Sequence, residues 1–253
     1  MRRAVFVALL LAAPAAAEIA PGERRSGFDQ MTPELRAMQT DEAANPGLLW
    51  VGDGEEAWAT APLTGRPACA GCHGGITAMR GVAARYPAWD EATARPVDLQ
   101  GRINLCRTRH QGADPFSAES RPLLALTAAV AAQARGLPVA PPADSRLDPA
   151  RAEGERLFTR RTGQLDLSCA NCHDGLWGRR LGASTIPQGH PNGYPLYRLE
   201  WQDLGSLQRR LRNCLTGMRA EPYPFGAPEY VALELHLMRR AAGLPVEAPA
   251  VRP

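Results

Sequence analysis

The pattern of apolar and polar positions along the chain predicts helices in several places and strands in few. Residues 123–135 and 229–240 are predicted helices, and each is followed by Gly and then Pro, which are helix stop signals. Asp148 and Pro149 suit the N-cap and N1 positions of a helix that continues to about residue 160. A further helical segment is expected over residues 33–40. We therefore predict a mostly α fold.

The N-terminus has the pattern of a secretory signal peptide. Arg2 and Arg3 precede the apolar run Ala4–Ala13, and the small residues Ala15-Ala16-Ala17 form a cleavage site. We predict a signal peptide over residues 1–17 and an exported protein. No later stretch approaches 18 consecutive apolar residues, so no membrane span is expected.

The charge of the chain is nearly balanced. Its 29 basic residues are all arginine and oppose 26 acidic residues, which gives a formal net charge of +3. Without residues 1–17 the net charge falls to about +1, so composition gives no electrostatic case for nucleic acid as a partner. The 236 residues that remain are enough for two small domains.

Four of the six cysteines belong to two C-x-x-C-H motifs, at Cys69–His73 and Cys169–His173. This motif is the attachment signature of c-type haem, in which two thiols bond to the porphyrin and the adjacent histidine reaches the iron. We therefore predict two covalently bound c-type haems. The attachment residues would be Cys69, Cys72, Cys169 and Cys172, and the histidine ligands His73 and His173. Structural disulfides with incidental histidines are the alternative.

The two motifs lie in a duplicated unit. The matching stretches are Gly54-Glu55 with Gly154-Glu155, Leu99–Cys106 with Leu207–Cys214, and Gly136–Val139 with Gly243–Val246. We predict two tandem cytochrome c-like domains with long loops around covalent haems. The expected divisions are the signal peptide at 1–17, an N-terminal extension at 18–49, the first domain at 50–143 and the second at 144–253.

The remaining cysteines, Cys106 and Cys214, occupy equivalent places in the repeat, whereas no methionine does so. The repeat therefore favours a thiolate as the second axial ligand of each haem iron. Such a ligand lowers the haem potential relative to Met, and a deprotonated sulfur is the form that reacts with sulfur electrophiles. A Cys106–Cys214 disulfide is the alternative.

Arg210 lies four residues before Cys214 in a predicted helix over 207–215, so the two side chains share one helix face. A guanidinium in that position could lower the pKa of the thiol and hold a small oxyanion. Pairing with a haem propionate would explain Arg210 equally well, together with Arg102 at the equivalent place.

One combination of residues in the second unit is specific enough to indicate a family. It consists of Leu204–Arg210, Cys214-Leu215, Met218–Pro222, Pro228–Tyr230 and Leu233-Glu234. This combination resembles the SoxA subunits of SoxAX cytochromes. Because both haem motifs are present, the chain is similar to the dihaem form of that family over nearly its whole length after residue 17.

The resemblance implies a periplasmic L-cysteine S-thiosulfotransferase that forms a heterodimer with the monohaem cytochrome SoxX. In that family, thiosulfate is joined oxidatively to a cysteine of the sulfur carrier SoxYZ, and two electrons pass to a soluble cytochrome c. The resemblance also implies that His73 and Cys106 ligate the first haem iron, and His173 and Cys214 the second. Cys214 would be the catalytic cysteine, found in the family as a persulfide, and Arg210 the substrate-binding arginine.

Two other functions fit the same residues. One is a thiosulfate dehydrogenase, which couples two thiosulfates to tetrathionate without a protein carrier. The other is a dihaem electron carrier with no substrate of its own, which predicts an unmodified Cys214.

Overall fold

The structure, a computed structural model, describes residues 19–253. The signal peptide predicted over 1–17 lies outside these residues. The helices within the described chain are α1 (Pro33–Thr40), α2 (Gly47–Ala59), α3 (Cys69–His73), α4 (Leu99–Cys106), α5 (Arg121–Ala132), α6 (Asp148–Thr159), α7 (Cys169–His173), α8 (Leu207–Gly217) and α9 (Pro228–Arg240). Over residues 19–253, no helix combines the length and the apolar character that crossing a membrane requires.

The strands are all short and form three small sheets. They are β1 (Ala88–Asp90), β2 (Arg95–Val97), β3 (Arg180–Leu181), β4 (Ser184–Thr185), β5 (Leu196–Arg198), β6 (Asp203–Gly205) and β7 (Ala250–Arg252). The pairs β1-β2 and β3-β4 are antiparallel hairpins, and β5 lies between antiparallel β6 and parallel β7. Because the strands are so few and short, helices dominate the fold, as predicted.

Each half of the chain is built on a pair of packed helices, α2 with α5 and α6 with α9. Both pairs cross at a glycine. A Cβ on Gly54 would lie 2.6 Å from the carbonyl carbon of Ala125, and a Cβ on Gly154 would lie 2.6 Å from that of Ala232. A side chain at either position would push the helices apart. The repeated Gly-Glu pairs of the sequence therefore mark two equivalent helix crossings.

The core is apolar around each helix pair. Phe158 of α6 and Tyr230 of α9 are fully buried in the cluster of the second pair. In the first pair, Trp58 of α2 packs with Leu126 and Val130 of α5. These clusters extend to Cys69 in the first half and Cys169 in the second, so each C-x-x-C-H helix is anchored on its own core.

The two copies of the Gly-Leu-Pro-Val stretch pair with each other. The Gly136 amide donates to the Val246 carbonyl and the Val246 amide donates to the Leu137 carbonyl, both at 2.8 Å. The Val139 amide donates to the Leu244 carbonyl, also at 2.8 Å. The repeated stretches therefore join the two halves through an antiparallel ladder.

The segment before α2 lies against the second half of the chain. The Arg24 guanidinium donates to the Ala242 carbonyl at 2.6 Å, and the Arg25 amide donates to the Gln188 side chain at 2.7 Å. Farther on, the Asn45 side chain donates to the Pro249 carbonyl at 3.0 Å. The segment is thus held by loops of the second half of the chain.

The helix ends follow the sequence signals closely, with one error. Helix α1 begins and ends at the predicted residues, and α5 and α9 begin near theirs with a proline in the first turn. The prediction of Asp148 as an N-cap is wrong, because a 3-10 turn at Ser145–Leu147 already brings the backbone of Asp148 to helical angles. The Asp148 carboxylate instead pairs with Arg151 at 2.5 Å.

Candidate functional site

The second C-x-x-C-H motif forms a capped single turn of helix. The Ser168 hydroxyl accepts a hydrogen bond from the Asn171 amide, and the Asn171 side chain accepts one from the Ser168 amide at 2.8 Å. This reciprocal cap satisfies donors that the start of a helix would leave free. It holds Cys169 and Cys172 three positions apart on one face of α7.

A cavity of about 170 Å³ lies beside this motif and opens partly to solvent. Chemistry-bearing side chains of three elements, α7, β5 and α8, line it, among them Cys169, His173, Arg198, Arg210 and Cys214. The cavity therefore combines most of the site residues predicted in the second unit, with Arg198 in addition.

The His173 ring is oriented by its backbone surroundings. Its Nδ1 lies 2.7 Å from the Pro187 carbonyl oxygen, which can only accept, so Nδ1 is the protonated nitrogen. Nε2 is then left with its lone pair. A backbone carbonyl on the far nitrogen is the usual support of a metal-ligating histidine, so His173 is prepared to bind iron.

Cys214 lies beside His173 and two cationic side chains. Burial by itself would raise the pKa of the Cys214 thiol. The neighbouring His173 and the charges of Arg210 and Arg198 outweigh burial and lower the pKa of this thiol below its usual value. Burial raises the pKa of Cys169 and Cys172, and a charge on Cys214 would add to that rise. The residues could hold a covalent haem with iron between nitrogen and sulfur ligands.

A buried ion pair also holds the second C-x-x-C-H motif in place. The Asp174 carboxylate, directly after His173, accepts from the Arg240 guanidinium at 2.5 Å. The two side chains are only 6% and 3% exposed. Because α9 provides Arg240, this pair ties the histidine to the core helix of the second half.

The first C-x-x-C-H motif is more open. Cys72 and His73 are exposed, and the Trp58 indole anchors the end of α3 by donating to the Gly74 carbonyl at 2.9 Å. Helix α4, which carries Cys106, packs through Leu99 and Ile103 into the same cluster as Cys69. The predicted site residues of the first unit are therefore neighbours too.

The thiol of the first unit differs electrostatically from Cys214. Burial raises the pKa of Cys106, and Arg102 and Arg109 do not reverse that rise. Both arginines instead bind the Asp90 carboxylate, and their hydrogen bonds, with that of Arg109 the largest, hold the Asp90 pKa far below its ordinary range. The equivalent cysteines thus have opposite tendencies to ionise.

All six cysteines have free side chains in the described chain. The alternatives that invoked structural disulfides or a Cys106–Cys214 disulfide are therefore not supported. Sequence reasoning also missed Arg198, which lines the cavity of Cys214. The sequence contained a signal for this region, because Tyr194-Pro195 and Tyr86-Pro87 are 108 positions apart, as are Cys214 and Cys106. The repeat therefore includes the positions just after Tyr-Pro, where Arg198 corresponds to Asp90.

Comparison with known proteins agrees with this geometry. A family model described as the SoxA/TsdA cytochrome c domain matches residues 53–139, and a cytochrome c domain implies covalently bound haem. The structure is similar to the crystal structure of SoxXA from P. pantotrophus, with a TM-score of 0.87 and 31% identity over 91% of this chain and 87% of that chain. The predicted mostly α, cytochrome c-like fold is therefore confirmed.

Characterised relatives cover nearly the whole chain. The L-cysteine S-thiosulfotransferase subunit SoxA of Pseudaminobacter salicylatoxidans is 37% identical over 91% of this chain and 81% of the relative. The subunit of the same name from Rhodovulum sulfidophilum is 34% identical over 97% of this chain and 87% of the relative. Since identity above 30% extends over most of both chains, this chain belongs to the SoxA family of L-cysteine S-thiosulfotransferase subunits.

Proposed function

We propose that this chain is a periplasmic dihaem cytochrome that joins thiosulfate to a cysteine of the carrier SoxYZ. In this proposal it works as a heterodimer with the monohaem cytochrome SoxX. The observation that carries the proposal is the position of Cys214, whose sulfur shares one cavity with His173 and Arg210. A thiol with a lowered pKa beside a guanidinium suits a reaction between sulfur and an oxyanion.

The two haems would be held by equivalent residues. In the first domain, residues 50–143, Cys69 and Cys72 would bond the porphyrin, with His73 and Cys106 toward the iron. In the second, residues 144–253, the corresponding residues would be Cys169, Cys172, His173 and Cys214. A bound haem supplies a one-electron acceptor beside the reacting sulfur.

In this proposal, Arg210 binds thiosulfate and Cys214 reacts with it. The Arg210 guanidinium holds the sulfonate oxygens through paired N–H donors. The Cys214 sulfur, as thiolate or persulfide, forms a bond to the outer sulfur of thiosulfate, and this S–S bond formation releases two electrons. The outer sulfur is oxidised, and the electrons leave in two single steps to a soluble cytochrome c.

The carrier completes the reaction by thiol–disulfide exchange. Its cysteine thiolate attacks the sulfur that came from thiosulfate, the bond to Cys214 breaks, and the Cys214 sulfur leaves with the electron pair. The products are an S-sulfonated disulfide on the carrier and the original form of Cys214. No electrons are gained or lost in this second step, so the whole reaction releases two.

The test is thiosulfate coupling by the Cys214→Ala protein, assembled with its partner and supplied with carrier. Haem content and mass of the carrier peptide are measured together. We expect coupling to be lost. Unchanged coupling in a Cys214→Ala protein that retains both haems would contradict the proposal. Tetrathionate formed by the unmodified protein without carrier would instead indicate a thiosulfate dehydrogenase, and an inert, unmodified Cys214 would indicate an electron carrier.

A further inference from the structure

The two units carry opposite charges at one equivalent position. Asp90 is the last residue of β1 and pairs with Arg95 across the hairpin, whereas Arg198 is the last residue of β5 and pairs with Asp203. Each hairpin leads directly into the helix that carries the thiol, α4 or α8. Asp90 and Arg198 are 108 positions apart, as are Cys106 and Cys214.

In the first unit, the acidic residue neutralises the arginines around the thiol. The Asp90 carboxylate accepts from Arg102 at 2.7 Å and from both terminal nitrogens of Arg109 at 2.8 and 2.7 Å. Its side chain is 3% exposed. Arg102, the counterpart of Arg210, is therefore committed to a protein carboxylate and is not available to an external anion.

In the second unit, the arginines have no such partner. Arg198 is 9% exposed, and its buried Nε has no hydrogen-bond partner in the described structure. Its only ion pair among residues 19–253 is with Glu200, at 3.1 Å, and the Glu200 side chain is 61% exposed. Within residues 19–253, the Arg210 side chain forms no hydrogen bond or ion pair, and the groups whose charges act on it are Cys214, Tyr194 and Glu200.

Three guanidinium groups line the cavity beside Cys214, and that of Arg252 is paired with Glu247 at 2.6 Å. The other two, of Arg198 and Arg210, have no buried carboxylate between them. Buried charges are expected to be paired, because an unpaired charge in a region of low polarity is unfavourable. Each guanidinium also offers several N–H donors in a plane, an arrangement that suits the oxygens of a carboxylate, phosphate or sulfonate. The arrangement is complete only when an anion lies between the two.

We infer that Arg198 is a second substrate-binding residue, which holds the sulfonate oxygens of thiosulfate together with Arg210 and places the outer sulfur at Cys214. The inference rests on the proposed function. It adds the residue that confines thiosulfate binding to the second unit. The first unit has the same thiol and the same helix arginine, but Asp90 occupies the anion position with its own carboxylate. The carboxylates of a bound haem are the other anions that could occupy the site.

The experiment compares Arg198→Gln, Arg198→Lys and unmodified protein, each as the haem-loaded complex with its partner. The kinetic measurements are kcat and KM for thiosulfate with carrier present. The binding measurement is calorimetric titration with sulfate, an unreactive oxyanion. Haem content and the reduction potential are recorded for each variant. Arg156→Gln is the matched control, because Arg156 pairs with Glu153 at the outer surface of α6.

We expect Arg198→Gln to raise KM for thiosulfate by about ten- to a hundredfold, the range of one or two lost charged hydrogen bonds. Sulfate binding should weaken by a similar factor, while haem content stays unchanged. Arg198→Lys should restore part of the affinity, because it returns the charge without the planar fork. The Arg156→Gln control should match the unmodified protein.

Unchanged KM and sulfate affinity in Arg198→Gln, with reduced haem content or a shifted potential, would overturn the inference and assign Arg198 to a haem carboxylate. Unchanged values for all of these quantities would overturn it as well. If the unmodified complex does not couple thiosulfate at all, the proposed function fails. Sulfate titration still decides the inference in that case, because it requires no turnover.

Discussion

The glycine at each helix crossing offers a quantitative test of the packing that supports the two sites. Helix α2 contains two glycines near its middle, Gly52 and Gly54. A Cβ added to Gly52 would have open space around it. A Cβ added to Gly54 would lie 2.6 Å from the Ala125 carbonyl carbon and 2.7 Å from the Ala129 Cβ. The same substitution on the same helix should therefore have opposite effects.

The magnitudes follow from these distances. Carbon atoms in contact prefer about 3.5–4.0 Å, so Gly54→Ala requires α2 and α5 to separate by about 1 Å. The obstacle at Ala125 is backbone in a buried helix and cannot swing aside. Overpacking of this kind costs about 1–3 kcal/mol. Gly52→Ala avoids the clash and gains up to about 1 kcal/mol of helix propensity.

The measurement is thermal unfolding of the two haem-loaded variants and the unmodified protein, followed by far-UV circular dichroism. A difference of about 2–4 kcal/mol between the variants corresponds to roughly 4–16 °C in Tm for a chain of this size. Gly54→Ala should unfold at the lower temperature. Equal Tm values for the two variants would refute the reasoning, because they would mean that the helices do not cross at this distance.

Two further predictions concern buried charges. Arg240→Met leaves the Asp174 carboxylate buried without its partner, so the free energy of unfolding should fall by about 3–5 kcal/mol in chemical denaturation. Arg161→Gln breaks an exposed ion pair and should change the free energy of unfolding by about 0–1 kcal/mol. Equal losses in the two variants would contradict the difference in burial between the two pairs. Burial, followed by the charges of Arg240 and Arg239, lowers the pKa of His236 from 6.5 to about 4. Between these two pH values the unfolded chain binds a proton that the folded chain does not. The stability of the fold therefore falls as the pH decreases from about 6.5 to 4. The resulting fall in Tm at low pH should be smaller in His236→Gln than in the unmodified protein. A pH profile of Tm that His236→Gln does not alter would show that another group titrates.

Local features of the chain were predictable because short-range geometry determines them. The C-x-x-C spacing places both sulfurs on one turn of helix, and the i, i+4 spacing of Arg210 and Cys214 places them on one face. Arg210, Cys214 and Cys169 of these pairs line the cavity of the second unit. Helix ends were also predictable where Pro or Gly marks them, and the error at Asp148 arose from a preceding turn that has no strong sequence signal.

The course of the segment before α2 was not predictable in the same way. The sequence indicated an N-terminal extension with one helix but not what it contacts. Its partners, such as Ala242, Gln188 and Pro249, lie more than 160 positions along the chain. Hydrogen bonds over such a distance depend on how the two halves pack, and no local propensity encodes that.

The sequence by itself determined the chemistry that two haem motifs and two equivalent cysteines provide, since covalent spacing and helical period act over a few residues. It also contained the duplication, which requires each half to repeat one packing scheme. Only the tertiary structure decided which thiol lies beside arginines that have no buried carboxylate partner. Hairpins and long-range packing bring Asp90 to the site of Cys106 and Arg198 to the site of Cys214. The charges therefore act on the sulfurs through space, between residues that are not close in sequence.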